Sequence, residues 1–396
     1  MKKMAFLAFL AAGSLSAQPI TLTPEQKALA AAGNDFSFRF LQQVEQAGKG
    51  DWFVSPTSLQ FLLGVILNGA QAATADEIAA TLGIQADRLD ALNDYNRMLL
   101  ERFPKLDPNT KLRIGNAVFV NQEFPIRKDF QQLTETYYDA EVKNLDFRNG
   151  NAALRAINGW CSKQTEGLIP AVLEKVEPSM FAYLLNALYF KGSWEHQFSK
   201  SSTRERTFRT ASGEEEQILM MQQERKFAYG EDALFRCRRL PYGNGSYAMY
   251  LLLPQEGRTV AEVLASLDAA SWETVSGQMY ASSKVNLWLP KFETRFHIQL
   301  NDILCKLGMP GAFKEGADFK KMSELADCLD FVQQDAVIKV DEKGSEAAAV
   351  TLAGVLGATA VAPMRVIQFH CDRPFIYLIT EAATGSILFA GEFTGE

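Results

Sequence analysis

Residues 347–364, AAAVTLAGVLGATAVAPM, are eighteen consecutive residues without a charge, close to the end of a chain that elsewhere mixes polar and apolar residues. Eighteen is about the minimum for a membrane-spanning helix. The content argues against that use: two Gly, two Thr, Pro363 and a large share of Ala leave the stretch too weakly apolar to partition well. It also holds far more Ala and Val than an ordinary linker. Set out with the period of two of a strand, one face carries Ser345, Ala347, Ala349, Thr351, Ala353, Val355 and Gly357. The other carries Glu346, Ala348, Val350, Leu352, Gly354 and Leu356. The first face is small throughout, and the single charge lies on the second. Such a segment can slide into a sheet with its small groups inward and Glu346 left in water, while Gly344 just ahead supplies a hinge with free φ. A linker whose alternation is accidental fits the segment equally well when it is taken alone.

The rest of the chain has the make-up of a soluble globule: 396 residues, 47% hydrophobic and 22% charged, enough for a sizeable core. No repeat, low-complexity run or Pro-rich linker divides it, so residues 18–396 are expected to fold as one domain. Residues 1–17, MKKMAFLAFLAAGSLSA, place two lysines before an apolar run and then small residues. That is the pattern of a secretory signal peptide, too short for a stable anchor. Cleavage is expected after Ala17, with Ser16 as the alternative, and the mature chain is expected to be secreted, periplasmic or at the cell surface. Loss of Lys2 and Lys3 takes the formal net charge from −7 to −9, with 38 basic against 47 acidic residues. This balance argues against nucleic acid and heparin-type polyanions as partners. Cys161, Cys237, Cys305, Cys328 and Cys371 are odd in number and lack C-x-x-C spacing. They speak against a disulfide framework and for small buried hydrophobes.

Thr23-Pro24-Glu25-Gln26 is a helix start, with Thr as cap, Pro in the first position and Gln closing a capping box. The helix should carry Leu29, Phe36, Phe40 and Val44 on one face as far as Gly48. Asp76–Leu82, Leu89–Phe103 and Asn151–Gln164 also have helical periodicity. Leu112–Val120 alternates as a strand. Phe181–Phe190, FAYLLNALYF, is nearly all apolar, as a strand buried on both faces requires. Gly243-Asn244-Gly245 joins two strand runs as a hairpin turn. Helices early and strands late indicate an α+β fold.

Motifs for catalysis are missing. The three histidines, His196, His297 and His370, form no H-E-x-x-H and no pair at metal-ligand spacing, so no metal or other cofactor is expected. No serine sits in G-x-S-x-G, and there is no Walker loop. Gly243, Gly245 and Ala248 spell a loose G-x-G-x-x-A, but a strand-rich run and Pro254 follow where a dinucleotide loop needs a helix. Glu214-Glu215-Glu216 after Gly213 is expected to be a solvated turn rather than an acid–base pair.

Five ordered blocks resemble the serpins. VDEKGSEAAAVT (340–351) resembles the hinge of their reactive-centre loop, and FVSPTSLQFLLGVILNGAQAATADEIAATLG (53–83) their helix B and C region. LLNALYFKGSWEHQF (184–198) resembles the strand and turn called the breach, with Trp194 in it. LPKFETRFHIQLNDILCKLGMPGAF (289–313) and DRPFIYLITEAATGSILFAGEF (372–393) match the late part and the C-terminal signature. The resemblance runs from about Phe36 to the end. It implies helices packed around a large central mixed β-sheet, two further sheets, and an exposed reactive-centre loop at about 342–366. It implies a protease inhibitor rather than an enzyme. A target endopeptidase attacks the loop and forms an acyl-enzyme, and the cut loop then inserts as a new strand, dragging the protease with it.

Carried onto this chain, the hinge is Glu342, Gly344, Ser345, Glu346, Ala347, Ala348 and Ala349, whose small run matches inhibitory members. The shutter beneath the sheet is Ser55, Ser58 and Asn186, with Gln334 where the family often has His. A Gln amide both donates and accepts but does not titrate near neutral pH, which puts pH-triggered opening there in doubt. Counting Glu342 as the first residue, the usual cut at the seventeenth falls at Ala358, with Thr359 after it. Counting back from the RPF block points nearer Ala360, and Arg365 is a secondary bait. These small residues favour elastase-like or subtilisin-like serine proteases over trypsin-like ones, with cysteine proteases as a further class and a monomer as the expected state. The competing readings are a non-inhibitory serpin acting as a binding or carrier protein, and a hydrolase with an unrecognised motif.

Overall fold

A threonine cap and a proline open the first helix. In the computed structural model, which describes residues 19–48, 50–345 and 366–396 apart from the side chains of 280–283, Thr23 Oγ1 accepts from the Gln26 amide. Gln26 Oε1 accepts from the Thr23 amide in return, starting α1 (Pro24–Ala47). Phe36, Phe40 and Val44 are buried along it, and Leu29 packs against the same core. There follow β1 (Trp52–Val54), α2 (Pro56–Gly69), α3 (Ala72–Thr81), α4 (Leu89–Arg102), β2 (Thr110–Asn121), α5 (Lys128–Tyr138), β3 (Glu141–Leu145), α6 (Gly150–Gln164) and β4 (Ala182–Ser193). The strand-rich half contains β5 (Arg204–Arg209), β6 (Glu215–Glu231), β7 (Phe235–Tyr242), β8 (Tyr247–Pro254), α7 (Val260–Ala265), α8 (Ala269–Gly277), β9 (Tyr280–Pro290) and β10 (Phe292–Gln299). It ends with α9 (Asn301–Leu307), β11 (Phe331–Val340), β12 (Gly344–Ser345), β13 (Ile367–His370), β14 (Phe375–Glu381) and β15 (Ile387–Phe393).

The central sheet has six strands in the order β10-β11-β12-β4-β2-β3, with β11 parallel to β4 and β2 parallel to β3. The two further sheets expected beside it meet along β6. The first part of that strand pairs with β5 and β9, and its last residues, Tyr229–Glu231, pair with β7. One network, β1-β15-β14-β8-β7-β6-β9-β13 with β5 on β6, therefore runs through both. The β7–β8 hairpin turns at Gly243 and Gly245, with φ of +46° and +85°. Glu215 and Glu216 belong to β6 rather than to a turn, although both are solvated: Gly213 (φ +87°) closes the turn earlier, and strand pairing with Arg209 and Phe208 takes over.

Apolar side chains cover both faces of the central sheet. On one face α6 lays Ile157, Trp160 and Cys161 over Ala117, Phe119, Tyr183, Leu185 and Ala187. On the other lies the main core, through which α2 passes buried on almost every side. That double burial accounts for the unbroken apolar run of β4. All five cysteines are free; Cys161, Cys237 and Cys371 are buried, while Cys305 and Cys328 are partly exposed.

A carboxylate pair closes the corner between α1 and β15. Trp52 Nε1 donates to Glu45 Oε2 at 3.0 Å and to Glu392 Oε2 at 2.9 Å. Burial, with the hydrogen bond and charge of Glu45 added, pushes the Glu392 carboxyl up to about 9. The folded state therefore binds a proton that the unfolded chain, with Glu near its ordinary value of about 4.5, gives up. Stability from this corner is complete below that unfolded value and drains away as pH rises toward 9. Glu392→Gln should remove the alkaline decline. Denaturant midpoints from pH 5 to 9 should then show the variant more stable by on the order of 2 kcal/mol at pH 8 and close to the natural protein at pH 5.

Candidate functional site

The chain leaves the top of β11 at Val340, reverses within four residues and re-enters the sheet as β12. The Asp341 carboxylate organises the reversal by accepting from the Lys343 amide at 2.8 Å, while the Asp341 amide donates to Gly344 O at 2.9 Å. Trp194, just past the end of β4, clamps the turn from one side. Its Nε1 donates to Asp341 O and its amide to Lys343 O, both at 2.9 Å. The Trp194 ring stacks on Tyr242 with centroids 4.5 Å apart. Glu342 is buried beside it, accepting from Thr203 Oγ1 at 2.8 Å and from Lys291 Nζ at 3.0 Å. Burial alone would raise its carboxyl. Hydrogen bonds from its own amide, Lys291 and Thr203, with the Lys291 charge, outweigh burial and hold it below the ordinary value.

Gly344 and Ser345 then lie between two strands. They pair antiparallel with Ser193 and Gly192 of β4, and Ser345 pairs with Val340 of β11. A Cβ at position 344 would stand 2.0 Å from Gly192 O, so only glycine fits this approach. The Ser345 side chain is fully buried, its Oγ 2.6 Å from Tyr242 Oη. Lower down, β11 and β4 pair directly for five residues, from Phe331↔Tyr183 to Asp335↔Ala187. Above that point they are not paired with each other, and β12 enters the parting.

Ser55, Ser58, Asn186 and Gln334 come together where the direct pairing holds. Asn186 and Gln334 are register partners across β4 and β11, and Gln334 Nε2 donates to Asn186 Oδ1 at 2.9 Å. The Gln334 amide also bridges to α2, its Oε1 accepting from the Ser55 amide at 2.7 Å and its Nε2 donating to Ser55 O at 3.0 Å. Asn186 Nδ2 donates to Ser58 Oγ and, at 2.8 Å, to Asn116 Oδ1. Ser55 caps α2 by accepting from the Ser58 amide. This network pins the two sheet strands to the helix N-terminus at a depth where an unpaired polar group is costly.

Asn116, Tyr242, Thr203 and Lys291 belong to this arrangement but are not singled out by the sequence. Only Asn116 carries a local signal, as an amide set directly against the apolar run Ala117–Val120 of β2. Glu346, Ala347, Ala348, Ala349, Ala358, Thr359, Ala360 and Arg365 lie outside the described residues, as do residues 1–17. Among the described residues no group of three or more His, Cys, Asp or Glu side chains could hold a metal ion. His297 Nδ1 lies 2.8 Å from Asp335 Oδ1, and His370 stacks on Trp288 at 3.6 Å.

Residues 31–395 match the family model described as serpin (serine protease inhibitor). Serpin B6 of Macaca fascicularis is 31% identical over 376 residues, covering 92% of this chain and 99% of its own. Among solved structures, the thermophilic serpin Tengpin in the native state superposes with a TM-score of 0.85 at 27% identity, covering 96% of this chain and 97% of that one. Human thyroxine-binding globulin superposes with a TM-score of 0.84 at 26% identity, over 93% and 98% of the two chains.

Proposed function

This chain belongs to the serpin family, and on that premise we propose that it is an exported inhibitor of serine endopeptidases that traps its target by inserting its cleaved loop into the central sheet. The observation that carries this reading is β12: the residues at the base of the loop already occupy a sheet position, antiparallel to both neighbours. Continuing that register downward sets Ala347 against Phe190 and Ile338, and Ala349 against Leu188 and Ala336. In that register four residues, Glu346 to Ala349, would lie above the direct β11–β4 pairs. From Val350 onward the direct β11–β4 pairs must part. Thr351 then arrives between Asn186 and Gln334, where its hydroxyl replaces their mutual hydrogen bond. Every second residue from Ser345 takes the inward side, which is the small face.

A carrier role is the second reading, and the structural likeness to thyroxine-binding globulin favours it. Incubation with elastase-like, subtilisin-like and trypsin-like proteases, followed by a denaturing gel, separates the two. The inhibitory reading expects a covalent complex with the first two and a released C-terminal peptide beginning at Thr359 or within three residues of it. Clean cleavage with no complex would favour a carrier, and a peptide beginning at Val366 would move the reactive bond to Arg365.

A further inference from the structure

Arg238, in the middle of β7, is a guanidinium in an apolar interior with no hydrogen-bond or ion-pair partner among the described residues. It is 0% exposed, and its Nε, Nη1 and Nη2 all lack a hydrogen-bond acceptor. Its register partners are Tyr229 and Leu251, and its Cζ lies 3.4 Å from the centre of the Phe227 ring. Among the described residues the ionisable group that bears on it is Cys371, and burial keeps that thiol protonated. A guanidinium does not deprotonate in a protein. The Phe227 face offsets only part of the cost of burying the charge, and a buried cation left without a partner is strongly destabilising.

We propose that Arg238 holds a small monovalent inorganic anion of the chloride class in the interior of the second sheet network. One charge needs one counter-charge, and the N–H edge of the guanidinium, without an acceptor among the described residues, suits a small spherical ion. Full burial within apolar walls excludes a bulky or doubly charged anion, whose desolvation would cost more. Such an ion binds the folded state and not the unfolded one, so it stabilises by mass action.

The test is the unfolding midpoint at constant ionic strength, with gluconate exchanged stepwise for chloride from about 1 mM to about 300 mM. The natural protein should gain about 3 °C or more, and Arg238→Met should show no chloride dependence. No gain in the natural protein, or an equal gain in both, overturns the site. If Arg238→Met does not fold, bromide soaked into crystals of the natural protein decides: an anomalous peak in contact with the Arg238 guanidinium is expected, and its absence there contradicts the proposal.

Discussion

Ser345→Arg should turn an inhibitor into a substrate. The Ser345 side chain is fully buried, 2.6 Å from Tyr242 Oη and packed between β4 and β11. No acidic side chain bonds to it there, so an arginine must either bury an unpaired guanidinium, at a cost of roughly 3–5 kcal/mol, or pull β12 out of the sheet. Either outcome opposes insertion at its first step. Cleavage of the loop by the protease needs no insertion and should proceed normally. Since each 1.4 kcal/mol is about a factor of ten, the fraction of encounters that end as covalent complex should fall by about a hundredfold or more. Ser345→Ala, which keeps the small inward group and loses only the Tyr242 contact, should retain most of the complex. Densitometry of complex against cleaved protein checks both variants. A Ser345→Arg protein that traps protease as well as the natural one would exclude insertion through this position.

How much of this was legible in the sequence depended on the range of the interactions involved. The α1 capping box and the Gly243–Gly245 turn were readable because cap, turn and consequence lie within a few residues. The double burial of β4 was readable because an unbroken apolar run permits little else. The shutter residues were named through family resemblance, and the structure brings Ser55, Ser58, Asn186 and Gln334 into one hydrogen-bonded cluster. Tyr242 and Thr203 escaped because their partners are 103 and 139 residues away in the chain. The helices α7 and α9 escaped for a different reason, being too short to show a period. Glu215 and Glu216 were misplaced because a run of like charges suggests a turn, whereas an edge of a solvated sheet tolerates it equally well. Arg238 gave no signal, since an arginine in a strand is ordinarily a surface residue.

If the cleaved loop inserts between β4 and β11 as proposed, the intact molecule should be less stable than its own cleaved form. Above Asp335↔Ala187 the two strands share no direct pairing, and among the described residues β12 is what lies between them. In the proposed mechanism a cut in the loop would free such a strand. Its entry adds ladder hydrogen bonds on both sides and buries the small face, against the loss of five direct pairs and the entropy of ordering the loop. At roughly 1 kcal/mol net per added hydrogen bond and about 1.3 °C per kcal/mol in a chain of this size, some ten inserted residues should raise the midpoint by about 13 °C. The measurement is a pair of thermal melts, intact protein against protein nicked once near Ala358 by a non-target protease, in the same buffer. Loop insertion predicts the nicked form to melt about 13 °C higher; a nicked form that melts at or below the intact one would contradict it.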